Sequence, residues 1–326
     1  MTSSDGIPAR SLPVSARAPG KCVLFGEHAV VHGCPELVVA IDLSTQVVLR
    51  AAPQLSLNAD PNAAESNPYF RAALDGSWRG GPPIAVRSVT RIPRSAGLGS
   101  SAAFVCALGA ALGAATGGVD RAGLAQRSFE VERGAQGVGS PGDTSASVAG
   151  GYVALNGGPG EPLWTVTAGE RRWSVRRVED PRWSWVVAYS GVPRSTADAV
   201  RAVAERLARP DGPALLAEFE EVARAGIASV GRGDRRETGE LLRRNQELLR
   251  TVGVSHPRLE ALLAAAEPLA EAAKITGAGA GGSIVALPRA GREGELVRTL
   301  ARAGALPLPV RAEPLGAGLV EEPPAG

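Results

Sequence analysis

Residues 37–50, LVVAIDLSTQVVLR, are rich in β-branched side chains that partly alternate with polar ones, a pattern that predicts a strand. Residues 84–89, 150–155 and 183–190 read the same way. Residues 101–116 are apolar almost all round, which predicts a buried helix. Residues 120–136 form an amphipathic pattern with Asp120 as its N-cap. From 195 to 272 four helical patterns follow one another, broken near Pro210, Gly231–Gly233 and Gly253–Pro257. After them come a short strand near Lys274–Thr276, a strand at 283–288, a helix at 291–304 and a strand at 308–315. The tail, EEPPAG, is expected to fray. Strands and helices mix up to about residue 180 and helices dominate beyond it, so the expected division is a domain at 1–180 and another at 181–326.

Composition narrows the function classes. With 44% hydrophobic and 21% charged residues in 326, there is material for a sizeable core. The net charge of +2 and the lack of a basic stripe interleaved with aromatics argue against nucleic acid as a partner. Cys22, Cys34 and Cys106 are an odd number of thiols in apolar segments, which suggests reduced cysteines and a cytoplasmic protein. The opening residues contain no apolar run of the kind a signal peptide needs. The tryptophans at 173, 183 and 185 are expected in the core, and His32 and His256 in structural roles. The histidines and cysteines show no zinc spacing. Of 35 basic residues only Lys21 and Lys274 are lysine, and both stand beside glycine-rich segments. Lysine is a compact point charge that can also lose its proton, and arginine does neither as well.

From Ser95 through Val119 the chain carries no charge. Three readings compete: a membrane span, a plain buried helix, and a loop that holds an anion. Glycines and serines crowd the first third, SAGLGSS, which disfavours a lipid-facing helix. The same residues suit an anion site, because glycines admit close backbone approach and a helix N-terminus presents free N–H groups. The segment is neither a Walker A loop nor a Rossmann fingerprint: no Gly-Lys-Ser/Thr follows, and the G-x-G-x-x-G spacing is absent.

Three segments in order, APGKCVLFGEHAVVHG (18–33), IPRSAGLGSSAA (92–103) and KITGAGAGG (274–282), together resemble the motif set of the GHMP kinases, the galactokinase–homoserine kinase–mevalonate kinase–phosphomevalonate kinase superfamily. The resemblance implies an α+β two-domain GHMP kinase fold, with an N-terminal ribosomal protein S5 domain 2-like half and a C-terminal ferredoxin-like, helix-rich half. PGKCVLFGEHAVVHG, GVPRST (191–196) and RRNQELLRTVGVSHP (243–257) resemble the mevalonate kinases most within it. Two departures stand out. Ala280 occupies a position where many members have glycine. Residues 136–151, QGVGSPGDTSASVAGG, differ from the HGNPSGVD-like segment of the animal enzymes and look more like the archaeal type.

By that resemblance ATP is the co-substrate, its phosphates on Pro93, Arg94, Ser95, Ala96, Gly97, Leu98, Gly99, Ser100, Ser101, Ala102 and Ala103. Ser101 and Glu132 would hold Mg²⁺ with phosphate and water completing its shell. Asp143 would take the proton from the 5-hydroxyl of mevalonate, beside the charge of Lys21. Lys21, Glu27, His28, Ser140, Asp143, Arg194 and Thr196 would line the acceptor site, and Gly277, Gly279 and Gly281 form the third glycine motif. Each has a plainer rival: Asp143 as a turn or cap residue, Glu132 as a solvated charge beside Arg133, Ser100 and Ser101 as helix caps, His28 as a partly buried histidine. The alternatives in function are another small-molecule kinase of the superfamily, acting on phosphomevalonate or a sugar 1-hydroxyl, and a non-catalytic ligand sensor on the same fold. Neither a nucleic acid nor a membrane is an expected partner. A homodimer is left open.

Overall fold

A computed structural model describes residues 6–7, 10–137, 139–193 and 196–321. In chain order the strands are β1 (Gly6–Ile7), β2 (Val14–Phe25), β3 (Glu36–Ala51), β4 (Ser56–Leu57), β5 (Ile84–Thr90), β6 (Val119–Asp120), β7 (Tyr152–Leu155), β8 (Glu161–Ala168), β9 (Arg171–Val178), β10 (Ser184–Tyr189), β11 (Ala270–Thr276), β12 (Ser283–Pro288), β13 (Leu306–Arg311) and β14 (Gly318–Leu319). The helices are α1 (Pro61–Ser66), α2 (Pro68–Ser77), α3 (Ser100–Ala115), α4 (Arg121–Gln136), α5 (Gly142–Ala149), α6 (Thr196–Leu207), α7 (Gly212–Gly231), α8 (Arg235–Thr251), α9 (Pro257–Ala266) and α10 (Glu293–Arg302).

Among the described residues, β14-β2-β3-β7-β9-β8 run side by side in the larger sheet, and β5 pairs with β3. A smaller antiparallel sheet has the order β11-β12-β10-β13. The chain leaves the larger sheet at Val178 and enters the smaller one at Ser184. It returns at its far end: Ala312 bridges Ile41 and β14 pairs with β2. The expected strand at 308–315 therefore stops at Arg311, because the next residues switch sheets. The expected strand at 150–155 begins only at Tyr152, because Gly150 and Gly151 take φ of 72° and 66°.

Helix α3 is buried along nearly its whole length, as its unbroken apolar surface requires. It packs between the larger sheet and α4, whose Asp120 cap accepts from the Gly123 N–H. Helices α1 and α2 lie in a stretch without strong periodicity. Local chemistry makes them: Asp60 and Asn67 cap them and each has proline at its start. The four helical patterns from 195 appear as α6 to α9. Trp173 and Trp185 are buried, while Trp183 sits half-buried with the Arg235 guanidinium 5.7 Å from its ring. His256 caps α9 by accepting from the Arg258 N–H. All three cysteines are free and buried, and burial pushes their thiols up. Among the described residues no helix is long and apolar enough to cross a membrane. Beyond Glu321 the tail lies outside the described residues.

Candidate active site

Lys21 sits near the middle of β2, one residue past a register shift between Pro19 and Gly20. Such a shift re-aims the next side chain. Here Lys21 turns into the protein, 1% exposed, with its N–H bonded to Leu98 O at 2.9 Å. Its Nζ donates to Gly97 O at 3.1 Å and pairs with Asp143 Oδ1 at 3.0 Å. Gly20 and Gly99 permit this closeness. A Cβ on Gly20 would lie 2.7 Å from Leu98 O, and one on Gly99 2.8 Å from Lys21 Cγ. Gly99 also has φ of 71°. Gly99→Ala combines a left-handed penalty of about 1–2 kcal/mol with displacement of the ammonium. Its expected outcome is a drop in kcat of more than about tenfold, read beside a thermal melt.

Asp143 stands in the first turn of α5, about one-third exposed. The helix is held against β2 by Ser147 Oγ, which donates to Pro19 O at 2.7 Å, and against α3 by Cys106 Sγ, which donates to Thr144 O at 3.7 Å. This rigid seat sets Asp143 on its lysine, a pairing that the turn-or-cap rival does not require. The serines at the start of α3 do not cap it: the N-cap is Gly99, and no side chain closes that end. Ser101 Oγ instead donates to Glu132 Oε1 at 2.6 Å, and Gln136 Nε2 donates to the same oxygen at 3.3 Å. Glu132 is buried, so it is not a solvated charge. Burial, with Asp143 nearby, raises its pKa to about 7.

Two cavities meet at Asp143 and Gln136, which stand in the walls of both. The larger, about 970 Å³, is lined by Pro93 through Ser101 together with residues such as Asn58, Asn67, Tyr69 and Phe104. Ala102 and Ala103 lie behind that wall, fully buried, and the Ala103 N–H is committed to Gly99 O. The smaller, about 120 Å³, is lined by Lys21, Glu27, His28, Glu36, Glu132, Ser140 and Asp143, among others. His28, at φ of 64°, lies 3.0 Å from Ala278 O through Nε2. The third glycine motif borders this smaller cavity through Gly277 and Ala278. Gly279 and Gly281 serve the turn itself: Cβ atoms there would meet Val254 O at 2.4 Å and Val192 O at 2.9 Å. Ala280 takes φ of 56°, the left-handed backbone that glycine adopts more easily. Ser283 Oγ donates to Ala96 O at 2.7 Å, tying this motif to the glycine loop. Arg194 lies outside the described residues, and nothing is described of the Thr196 side chain.

Glu27 lines the pocket, but its carboxylate is already engaged. It pairs with Lys274 Nζ and accepts from Asn245 Nδ2 at 3.2 Å. Lys274 is fully buried; desolvation pulls its pKa down and Glu27 opposes that. Both lysines of the chain are thus buried ion-pair partners at one site.

Sequence reasoning missed Glu36. It opens β3, is 4% exposed, and accepts from Ser140 Oγ at 3.2 Å. Gly142 makes room for it, since a Cβ there would lie 2.2 Å from Glu36 Oε2. Burial, with Asp143 second, raises its pKa to about 8 from an ordinary 4.5. The one available signal was an acid set immediately before an apolar strand. A raised carboxyl pKa means that folding takes up a proton between pH 4.5 and 8, a penalty that grows across that window. Glu36→Gln should therefore melt at the wild-type temperature near pH 4 and a few degrees higher at pH 8. Equal melting temperatures at both pH values would show that Glu36 is not held neutral.

Among the described residues no group of three or more His, Cys, Asp or Glu side chains is arranged for a metal. One buried carboxylate with one hydroxyl, Glu132 and Ser101, suits a hard cation that takes its other ligands from phosphate and water. A glycine loop at a helix N-terminus, a carboxylate on a buried lysine and a second, smaller pocket together offer what phosphoryl transfer requires.

The comparisons agree. The pattern of the GHMP kinases N terminal domain matches residues 66–151, and that of the GHMP kinases C terminal matches 223–306. The chain belongs to the GHMP kinases, a family of ATP-dependent small-molecule kinases. Within it, the chain is 35% identical over 280 residues to a mevalonate kinase of Archaeoglobus fulgidus, spanning 83% of this chain and 91% of that protein. To a mevalonate kinase of Methanothermobacter thermautotrophicus it is 34% identical over 285 residues, spanning 83% and 89%. In fold it is similar to L. major mevalonate kinase in complex with R-mevalonate, at TM-score 0.78 and 22% identity, covering 94% of this chain and 99% of that one.

Proposed function

We propose that this chain transfers the γ-phosphoryl group of ATP to the 5-hydroxyl of (R)-mevalonate, releasing 5-phosphomevalonate and ADP. The observation that carries the reading is Asp143, set on a buried lysine where the glycine-loop cavity and the small pocket meet. The names of the relatives supply the acceptor. ATP occupies the larger cavity, with its phosphates against the loop and the free N–H groups that open α3. The acceptor enters the smaller one. Asp143 takes the hydroxyl proton as the oxygen bonds to the γ-phosphorus and the bond to the β-phosphate oxygen breaks. Lys21 holds the carboxylate in place and balances the charge that develops on the attacking oxygen. Mg²⁺, held by Ser101 and Glu132, would screen the phosphate oxygens. Buried, unpaired thiols support a reducing cytoplasm as the setting.

The test incubates purified protein with Mg·ATP and (R)-mevalonate and follows ADP release. Homoserine, galactose and 5-phosphomevalonate are run in parallel. Turnover confined to mevalonate is the expected result. Turnover with another acceptor alone overturns the substrate, and ATP binding without any turnover overturns the kinase reading in favour of a sensor.

A further inference from the structure

Glu36 is a buried carboxyl that phosphoryl transfer as described does not use. It lies in the wall of the acceptor pocket and has no ion-pair partner among the described residues. Two features are shaped around it: Gly142 gives up its side chain, and Ser140 donates to its Oε2. The acidic neighbours Glu27, Glu132 and Asp143 line the same pocket, so an apolar residue at position 36 would fold there more easily. An acid in this place points to a task with the ligand.

We infer that Glu36 and Ser140 form a paired hydrogen-bonding site for a non-reacting hydroxyl of the acceptor. The inference rests on the mevalonate reading, and there the group is the 3-hydroxyl. A hydroxyl both donates and accepts, and a neutral carboxyl beside a serine offers both complements. Burial raises the pKa of that carboxyl to about 8, so at neutral pH it presents an O–H without adding a further negative charge to an acidic pocket. The reacting hydroxyl belongs at Asp143 and Lys21, which leaves the Glu36–Ser140 pair for a second oxygen of the same molecule.

The experiment compares (R)-mevalonate with 5-hydroxy-3-methylpentanoate, which lacks the 3-hydroxyl, at saturating Mg·ATP. Wild type is expected to prefer mevalonate in kcat/KM. Glu36→Leu should raise KM for mevalonate about tenfold, with kcat less affected, and bring the preference between the two acceptors close to one. Glu36→Gln keeps a neutral donor and acceptor and should retain the preference. Ser140→Ala, at a partly exposed position, should weaken the preference in the same direction and serves if the leucine variant does not fold. A leucine or alanine variant that discriminates as wild type does overturns the inference alone, as does a wild type indifferent to the 3-hydroxyl. A wild type inert toward mevalonate overturns the reading beneath it.

Discussion

Asp143→Asn is expected to lower kcat about 10³-fold while leaving the fold and both KM values near wild type. Asparagine keeps the size and one hydrogen-bonding oxygen of the side chain but cannot take a proton at neutral pH. The seat of the residue explains why the loss should fall on kcat. Helix α5 is fixed to β2 and α3 through Ser147 and Thr144, so the substituted side chain stays where the carboxylate was. The substitution also takes the counter-charge from the Lys21 ammonium, 1% exposed, which keeps Gly97 O and the amide oxygen as acceptors. Lys21→Met in the same assay separates the two contributions. If it matches Asp143→Asn, the pair acts as a unit. A smaller loss assigns the larger share to proton removal. A fall of less than about tenfold for Asp143→Asn would remove it from the base role.

The second large effect falls on stability. Lys274→Met strips the cation from Glu27 in a place where both side chains are almost wholly buried. Breaking a buried pair from one side costs about 3–5 kcal/mol, since the remaining charge stays buried and unpaired. Glu27 would keep only the donor of Asn245. A melting temperature lower by roughly 10 °C is expected, or loss of soluble protein. The double variant Lys274→Met with Glu27→Gln should recover part of the loss because no charge is then stranded. A single variant that melts within a degree of wild type would show that the pair is dispensable. Lys274 is one of two lysines in a chain that otherwise carries arginine, and its compact ammonium sits between Glu27 and Ile275 O.

That scarcity drew attention to both lysines in the sequence, and the glycine loop read as an anion site from its own residues. Asp143 and the role of Lys21 beside it came from the resemblance to the GHMP kinases. Helix α3 was legible for a different reason, since an uncharged run with a glycine-rich entry has few stable solutions outside a core. Helix α5 was not. Its residues, GDTSASVA, are mostly weak helix formers, and tertiary packing against β2 and α3 makes the helix. The hairpin of β8 and β9 was missed because its strands expose many charged and polar residues and alternate weakly. Glu36 was missed because its burial depends on Ser140 and Gly142, about a hundred positions away, and no local pattern announces such a meeting. Glu27 was read as a pocket residue; its pairing with Lys274 across 247 positions was beyond reach for the same reason.

The return of the chain to its first sheet bears on the order in which the protein can be made. Gly151 N–H bonds Glu313 O, Ala317 N–H bonds Ser147 O, and β14 zips onto β2, so residues 312–319 brace the C-terminal end of the helix that carries Asp143. A ribosome delivers those residues well after that helix. The helix and Lys21 are synthesised first, and the bracing residues reach them only after leaving the exit tunnel. Nascent chains stalled before residue 312 should therefore hold the glycine loop and Asp143 in a looser arrangement than chains that include residues 312–319, and acquire ATP-dependent protection from protease only once those residues are added.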